Sequence, residues 1–396
     1  MFEQLDVLPA DPILGLMALH QQDPNPNKVD LGVGVYRDEQ GRTPILASVK
    51  AAQQRHHEAE ATKAYIGPAG TEGFVSATQT LLFGSEHAAV RDGRVVTVQT
   101  PGGCGALRVA AELIGRCNDA ATIWVSDPTW ANHVPLLGDA GITIREYPYY
   151  DRNTNSIRFD EMMATLERAE AGDLVLLHGC CHNPCGADLT PEQWQAVATL
   201  AVKRGLTPFI DIAYQGFARG LDEDADGIRV CADTVPELFV ASSCSKNFGL
   251  YRERVGSVTL VASDTQQASA ARSQLISVIR GIYSMPPSHG GAIVDIILND
   301  VELRRQWTDE LGAMRDRINE LRRQLVESFN RKGAEGRFDF IARQQGMFSF
   351  LGIAPEQVQK IREASSIYML SSSRINIAGL SRHNLDRVTG AVMSVL

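Results

Sequence analysis

Lys246 and Arg254 carry the most suggestive chemistry in this 396-residue chain. The lysine lies in a polar island, Ser-Cys-Ser-Lys-Asn-Phe-Gly at residues 243–249, and the arginine follows shortly after it. A lysine amine can form a Schiff base, and an arginine can hold a phosphate; pyridoxal 5′-phosphate (PLP) needs both anchors. The island follows the apolar residues 238–241, which predicts a buried strand with ligand-binding residues at its carboxyl end.

A glycine-rich segment, Pro-Gly-Gly-Cys-Gly at residues 101–105, offers a further phosphate contact. It opens a predicted helix, whose free N–H groups and positive dipole end favour an anion. It does not match the dinucleotide-binding fingerprint, because Arg108 stands where a glycine is required. Without another phosphate anchor, a tight turn before a core helix would be the preferred interpretation.

Asp211 lies inside the apolar segment 208–214 and should not be buried without a charged partner. A protonated pyridine nitrogen is such a partner, and the pairing would keep the cofactor ring an electron sink. Tyr214, three residues later, could donate to the ring oxygen. Taken singly, a structural salt bridge for Asp211 and core packing for Tyr214 remain open.

Thiol and imidazole groups are dense in residues 178–185, directly after another predicted strand. Zinc sites, however, usually show two ligand pairs separated by a spacer, and no second pair follows. We therefore predict no metal and favour an Asn-Pro turn that directs Asn183 into a ligand pocket. Arg374, within an apolar strand-like stretch, is suited to bidentate capture of a carboxylate. A surface position, which is the commoner fate of such residues, is open for Arg374, Arg280 and Tyr65.

Composition limits the remaining possibilities. A net charge of −9 disfavours nucleic acid or anionic membrane as the main partner. No targeting segment and no run of about 18 apolar residues is present, so we expect no membrane association. Seven cysteines without regular spacing indicate reduced thiols and a cytoplasmic location rather than a disulfide framework.

Short apolar runs alternate with helical patterns between residues 95 and 262 and predict an α/β fold with a mostly parallel sheet flanked by helices. We predict a large domain at 46–314. A smaller α+β domain is predicted to combine 13–45 with 315–396, and residues 1–12 to form an N-terminal arm. A long helix is predicted over 299–332, with apolar positions that begin at Val301. Strands are predicted at 338–341 and 347–350, followed by a helix at 355–364.

Together these segments resemble class I aminotransferases of the aspartate/aromatic branch, almost from Asp11 to the C-terminus. The motifs Ser-x-Ser-Lys-Asn-Phe-Gly-Leu-Tyr-x-Glu-Arg-Val-Gly, His-x-Cys-Cys-His-Asn-Pro, Asp-x-Ala-Tyr-Gln-Gly-Phe and Asp-Pro-Thr-Trp-x-Asn-His occur in that family's order. The resemblance implies the fold type I of PLP-dependent transferases. It also implies a homodimer whose active sites lie at the subunit interface.

The resemblance assigns a role to each matching residue. Lys246 would be the Schiff-base lysine and proton shuttle, Asp211 the partner of the pyridine nitrogen, and His133 the histidine that keeps Asp211 ionised. The other implied cofactor contacts are Tyr214 and Asn183 at the ring oxygen, Trp130 on the ring, Ser243, Arg254 and Gly103-Cys104-Gly105 at the phosphate, and Tyr65 from the neighbouring subunit. The implied substrate contacts are Arg374 at the α-carboxylate, Gly34 through its backbone, Trp130, Asn183, and Arg280 from the neighbouring subunit at a distal carboxylate.

The implied reaction moves an amino group between aspartate or aromatic amino acids and 2-oxoglutarate in ping-pong order. Three positions depart from the family pattern: Cys104 and Cys185 replace hydroxyl residues, and Met285 replaces a polar neighbour of the distal-carboxylate arginine. Arg280 favours dicarboxylates, whereas Met285 would admit an aromatic ring. An aromatic-preferring transaminase, PLP-dependent decarboxylation or β-elimination, and a catalytically silent PLP-binding module are the alternatives.

Overall fold

The computed structural model describes residues 1–7 and 11–396. Residues 8–10 of the predicted N-terminal arm lie outside the described residues. Packing divides the chain into two compact units, one formed by Met1–Thr43 with Arg317–Leu396 and the other by Pro44–Asp316. We call them the terminal unit and the central unit. The predicted small and large functional domains stay a prediction.

The strands are short in both units, and helices separate most of them. They are β1 Val29–Asp30, β2 Val95–Pro101, β3 Thr122–Asp127, β4 Thr143–Pro148, β5 Tyr150–Asp151, β6 Ser156–Ile157, β7 Leu174–His178, β8 Thr207–Ile212, β9 Leu238–Ser243, β10 Val255–Val261, β11 Phe348–Phe350, β12 Ile367–Tyr368 and β13 Arg374–Asn376.

The α-helices range from single turns to one helix of 31 residues. They are α1 Pro12–Gln22, α2 Ala47–Ala59, α3 Glu72–Phe83, α4 Ala88–Arg91, α5 Gly102–Cys117, α6 His133–Gly138, α7 Phe159–Leu166, α8 Pro191–Arg204, α9 Asp226–Thr234, α10 Thr265–Ile282, α11 Ser288–Asn299, α12 Val301–Arg331, α13 Phe340–Arg343, α14 Pro355–Ser365 and α15 Leu385–Met393.

A seven-stranded sheet of order β2-β10-β9-β8-β7-β3-β4 organises the central unit. Its strands run in one direction except β10, which is antiparallel to β2 and β9. Helices α3, α5, α8, α9 and α10 pack against the sheet. The predicted α/β fold with a mostly parallel sheet is confirmed.

Local sequence explains where these elements begin and end. In α8, Thr190 and Gln193 form a capping box, a proline occupies the first turn, and Gly205 ends the helix in the left-handed conformation with φ 69°. The apolar side of α12 is also as predicted, because Trp307, Ile318 and Leu325 are fully buried. Val301 was wrongly included in that apolar pattern, since it is 81% exposed.

The terminal unit contains two small sheets, β1 parallel to β12 and β11 antiparallel to β13. The predicted strand at 347–350 and helix at 355–364 are confirmed as β11 and α14. The predicted strand at 338–341 is wrong, because the chain turns there and forms α13. Phe338 and Ile341 are both buried, and Arg322 donates a hydrogen bond to the Ile341 carbonyl. The segment therefore packs inward and does not pair with a strand.

Candidate active site

The sequence-predicted residues of the central unit follow strands that end at one edge of the sheet. Asp211 in β8 is level with His178 at the end of β7, and Ser243 at the end of β9 is level with Gly256 in β10. Because β10 is antiparallel, it starts where its neighbours finish, and Arg254 directly precedes it. The register therefore gathers the loops with Trp130, Asn183, Tyr214 and Lys246 at that edge.

The glycines at the start of α5 fit tightly against Arg254 and Ser243. A Cβ added to Gly102, whose φ is +72°, would lie 2.5 Å from Arg254 Nη2, and one added to Gly103 would lie 3.2 Å from Ser243 Cβ. Any side chain at Gly102 would displace the guanidinium. Helix N–H groups, a guanidinium and a hydroxyl thus converge, and this donor set fits the phosphate of the predicted cofactor.

Hydrogen bonds within the chain orient Arg254. Its Nη1 donates to the Tyr251 carbonyl at 3.0 Å and approaches Ser245 Oγ at 3.5 Å. Arg254 itself has φ 55°, a conformation that most residues avoid and that is often retained at functional sites. Cys104 is half-buried in the first turn of α5, where its Sγ lies 3.8 Å from Asn132 Nδ2.

Asp211 belongs to a chain of partly buried hydrogen bonds. Its Oδ2 lies 3.0 Å from His133 Nε2, and His133 Nδ1 lies 2.8 Å from Thr129 Oγ1. Thr129 Oγ1 is in turn 3.2 Å from His178 Nε2. Burial alone would raise the pKa of Asp211, but the hydrogen bond and charge of His133 hold that pKa below its ordinary value. The carboxylate is therefore ionised and fixed in orientation.

Lys246 faces the ring of Tyr214, with Nζ 4.7 Å from the ring centroid. Burial lowers the pKa of Lys246, and the nearby charge of Arg254 lowers it further, whereas Asp211 and Cys104 oppose the shift. A lysine in this environment loses its proton more easily than an exposed lysine. It is therefore better suited than an exposed lysine to act as a nucleophile or a base.

The thiol and imidazole groups of residues 178–185 satisfy one another and their neighbours. His182 lies 3.1 Å from Ser126 Oγ through Nε2 and 3.2 Å from Cys185 Sγ through Nδ1, and its ring stacks on Tyr149. Burial lowers the pKa of His182 and raises that of Cys185. In the described part of the chain, no group of three or more His, Cys, Asp or Glu could hold a metal ion.

The other predicted residues of the central unit differ in exposure. Trp130 packs edge-on against His133, with ring centroids 5.2 Å apart, and Asn183 is buried before Pro184. Tyr65, in contrast, is 92% exposed in an irregular segment. Arg280 is also exposed near the end of α10, where it donates to Ser284 Oγ.

Arg374 and Gly34 belong to the terminal unit, and the structure brings them together there. Arg374 is 4% exposed, and its Nη2 donates to the Gly32 carbonyl at 2.7 Å. Asn376, two residues later in β13, donates through Nδ2 to the Val33 and Val35 carbonyls at 2.7 and 2.8 Å. These bonds fix the segment that contains Gly34 beside the arginine.

Sequence reasoning missed several residues of these clusters, among them Thr129 and His178 behind Asp211, and Phe348 against Arg374. His178 was noted only as a possible zinc ligand. A hydroxyl shortly after β3 and an imidazole at the end of β7 were the available signals, because neighbouring parallel strands end side by side. For Phe348 the sequence gives no such signal, since one aromatic residue in a strand is ordinary core.

Comparisons with known proteins agree with this geometry. A family model described as aminotransferase class I and II matches residues 26–392. Aspartate aminotransferase of Salmonella typhi is 50% identical over 100% of both chains, and aromatic-amino-acid aminotransferase of Pseudomonas aeruginosa is 45% identical over 100% of this chain and 98% of that protein.

Solved structures give the same result. An aromatic-amino-acid aminotransferase from Burkholderia pseudomallei, covalently bound to pyridoxal phosphate, superposes with a TM-score of 0.98 and 44% identity over 100% of this chain and 99% of that chain. The cytoplasmic aspartate aminotransferase of Saccharomyces cerevisiae superposes with a TM-score of 0.97 at 35% identity and covers 100% of this chain and 98% of its own. With its match over nearly the whole length, this chain belongs to the class I and II aminotransferase family.

Proposed function

We propose that this enzyme is a PLP-dependent aminotransferase that moves an amino group between aspartate or aromatic amino acids and 2-oxoglutarate. One observation carries the proposal. Lys246 and Asp211 lie at the same edge of the sheet as the phosphate cradle, which is formed by Arg254, Ser243 and the glycines at the start of α5. A lysine, an ionised carboxylate and a phosphate-binding donor set in one place are what this cofactor requires.

PLP supplies an aldehyde that forms an imine with an amine, and a ring that withdraws electrons from the substrate α-carbon. Arg254, Ser243 and the first turn of α5, including Gly103, Cys104 and Gly105, would bind its phosphate. Trp130 would stack on the ring. Tyr214 and Asn183 would donate hydrogen bonds to the ring oxygen.

Lys246 would have two tasks. It would hold the cofactor through its ε-amine between turnovers, and the same amine would move the substrate α-proton through Nζ. The lowered pKa supports the second task, because only the neutral amine can accept a proton. Burial thus prepares this lysine for base chemistry.

Asp211 would hold a proton on the ring nitrogen through its carboxylate. Its lowered pKa keeps the negative charge there, and His133 fixes the direction of the carboxylate by the 3.0 Å hydrogen bond. Thr129 is hydrogen-bonded to His133, and His178 to Thr129, so both would help to hold His133 in this orientation. These residues keep the charge in place without touching the substrate.

Arg374 would bind the α-carboxylate that every amino-acid substrate carries, with the Gly34 backbone close to it. Arg280 would bind the distal carboxylate of aspartate or 2-oxoglutarate, while Met285 would tolerate an aromatic ring in its place. Names of both aspartate and aromatic aminotransferases among the relatives support a dual range.

The proposed assembly is a homodimer with shared active sites. Tyr65 is 92% exposed and Arg280 is exposed, so neither side chain is engaged by its own subunit in the way its proposed role demands. Supply of both residues from a neighbouring subunit would explain this. We also propose a cytoplasmic location, because the cysteines of the described residues form no disulfide. No helix in the described parts of the chain is both long and apolar enough to cross a membrane.

Borohydride reduction followed by peptide mapping tests the cofactor attachment. The expected label is a reduced PLP adduct on Lys246, with Lys63 and Lys203 as unlabelled internal controls because both are exposed. A label on another lysine, or on none, contradicts the proposed mechanism.

A substrate panel with 2-oxoglutarate tests the reaction and its range. The expected product is one 2-oxo acid per glutamate formed, without carbon dioxide or ammonia, which decarboxylation or β-elimination would release. Replacement of Arg280 by leucine should lower kcat/KM for aspartate by roughly a hundredfold and leave that for phenylalanine within about twofold. Equal losses for both substrates would contradict the distal role of Arg280.

A further inference from the structure

Phe348 lies against the guanidinium of Arg374 inside the terminal unit. Strand β11, which begins at Phe348, pairs with β13, which begins at Arg374. The Arg374 Cζ atom is 4.3 Å from the centroid of the Phe348 ring. Phe348 is 2% exposed and Arg374 is 4% exposed, so the cation and the ring meet in a desolvated place where such contacts are strongest.

The tip of the same ring contacts Gly34. A Cβ added to Gly34 would come 2.8 Å from Phe348 Cζ, which is closer than van der Waals contact permits. The ring therefore lies between the arginine and the glycine of the proposed carboxylate-binding group. A glycine at 34 is required by the ring and not by backbone torsion, since its φ is not in the left-handed region.

Arg322 fixes the backbone from which this ring projects. It is 1% exposed, and its Nη2 donates to the Phe348 carbonyl at 2.6 Å and to the Gly346 carbonyl at 2.8 Å. Its Nη1 donates to the Ile341 carbonyl at 2.9 Å. A buried guanidinium that binds carbonyls along 341–348 leaves the start of β11 little freedom.

We propose that Phe348 is a positioning residue for Arg374: its ring sets the plane of the guanidinium in which the substrate α-carboxylate is bound. This inference rests on the proposed function, which assigns that carboxylate to Arg374. The donors of a guanidinium lie in its plane, so a carboxylate binds along an edge of the group, and a ring 4.3 Å from Cζ limits how far that edge can tilt. The Gly32 carbonyl, 2.7 Å from Nη2, restrains the same group within its plane.

Replacement of Phe348 by leucine or methionine tests this role, because both keep an apolar side chain and remove the aromatic face. KM should rise about tenfold for aspartate and for phenylalanine alike, since both carry the α-carboxylate, while kcat stays within roughly threefold. The dissociation constant of succinate, followed by cofactor absorbance of the holoenzyme, should rise by the same factor. A purely structural Phe348 would lower the unfolding temperature and leave KM and the succinate constant unchanged, which would overturn the proposal.

A double-mutant cycle with Gly34→Ala gives an independent measure. In the natural background the new methyl group collides with the ring, so succinate binding should fall by roughly tenfold or more. In the Phe348→Leu background the shorter side chain leaves room, so the same change should cost less than about threefold. Additive losses would show that the ring and the glycine do not act together and would refute the inference.

Arg374→Ala separates failure of this inference from failure of the proposed function. Unchanged succinate binding in that variant would show that Arg374 does not bind the carboxylate. It would contradict both this inference and the substrate-binding role proposed for Arg374. Weakened binding in Arg374→Ala with normal binding in Phe348→Leu and Phe348→Met would defeat the positioning role alone.

Discussion

The lysine–aspartate cluster of the central unit and the arginine cluster of the terminal unit are held in place by different means. In the first cluster, Asp211 lies near the end of strand β8, and Lys246 and Asn183 follow strands β9 and β7 of the same seven-stranded sheet. Ladder hydrogen bonds between these strands therefore set the positions of the three residues. Arg374 lies in a strand of three residues, and single side chains such as Asn376 fix the chain around it.

This difference predicts different responses to substitution. Many backbone hydrogen bonds of the sheet hold the lysine–aspartate cluster in place. Replacing one of its side chains should therefore remove a chemical function and leave the geometry of the neighbouring residues intact. The second cluster has few such bonds. Loss of one supporting side chain there should move the arginine and weaken substrate binding.

The most severe test of the first half of this contrast is Lys246→Ala. We expect kcat to fall by at least about a thousandfold, because both tasks proposed for Lys246, holding the cofactor and moving the substrate α-proton, use this amine. The imine absorbance band should vanish, while the unfolding temperature should change little. Lys203→Ala, an exposed lysine paired with Glu167, should keep full activity. Retained multiple turnover in Lys246→Ala would break the contrast at its strongest point.

Asn376→Ala tests the second half. The amide is fully buried and donates to two carbonyls of the 33–35 segment, so its removal leaves two acceptors unsatisfied. KM should rise about tenfold for both aspartate and phenylalanine, with kcat reduced less than about threefold. The unfolding temperature should also drop, in contrast to Lys246→Ala. A variant that loses kcat at constant KM would place Asn376 with the chemical cluster instead.

Sequence alone predicts the first cluster well and the second poorly, for the same physical reason. An apolar run followed by polar residues marks a strand end, and parallel strands bring such ends together, so Asp211 and Lys246 could be grouped without coordinates. Thr129 and His178 lay at equivalent strand ends and could have been included. The shared edge is a consequence of topology.

The terminal unit offers no comparable rule. The apolar residues around 338–341 predicted a strand. Instead, the Phe338 ring stacks on Phe329 with ring centroids 3.9 Å apart, and Arg322 donates to the Ile341 carbonyl, so this segment packs into the core. Contacts such as Phe348 with Arg374 join residues through a three-residue strand pair, which is too short to leave a periodic pattern. Tertiary packing decides there what local sequence cannot.

The pH dependence of the His133→Asn variant tests whether His133 controls the ionisation of Asp211 in the first cluster. The proposed role of Asp211 requires an ionised carboxylate. Because the pKa of Asp211 is lowered in the folded protein, this charge is present at neutral pH and is lost as pH falls through that pKa. Without His133, the hydrogen bond disappears and burial raises the pKa of Asp211. The acid limb of the kcat/KM profile should therefore move to higher pH, while the succinate constant at neutral pH stays nearly unchanged. An unmoved acid limb would remove His133 from control of Asp211.

The smallest expected effect concerns Cys104 at the proposed phosphate site. A thiol is a weaker hydrogen-bond donor than a hydroxyl, so Cys104→Ser, which preserves shape, should tighten PLP binding by roughly threefold. Equilibrium dialysis of the cofactor measures this without reference to turnover. Cys117→Ser at the exposed end of the same helix is the matched control and should leave the dissociation constant unchanged. Because the sheet fixes the phosphate cradle, changing one atom of Cys104 should alter only the strength of one contact with the phosphate. A change in KM for amino acids would show that the lysine–aspartate cluster and the arginine cluster are not held independently.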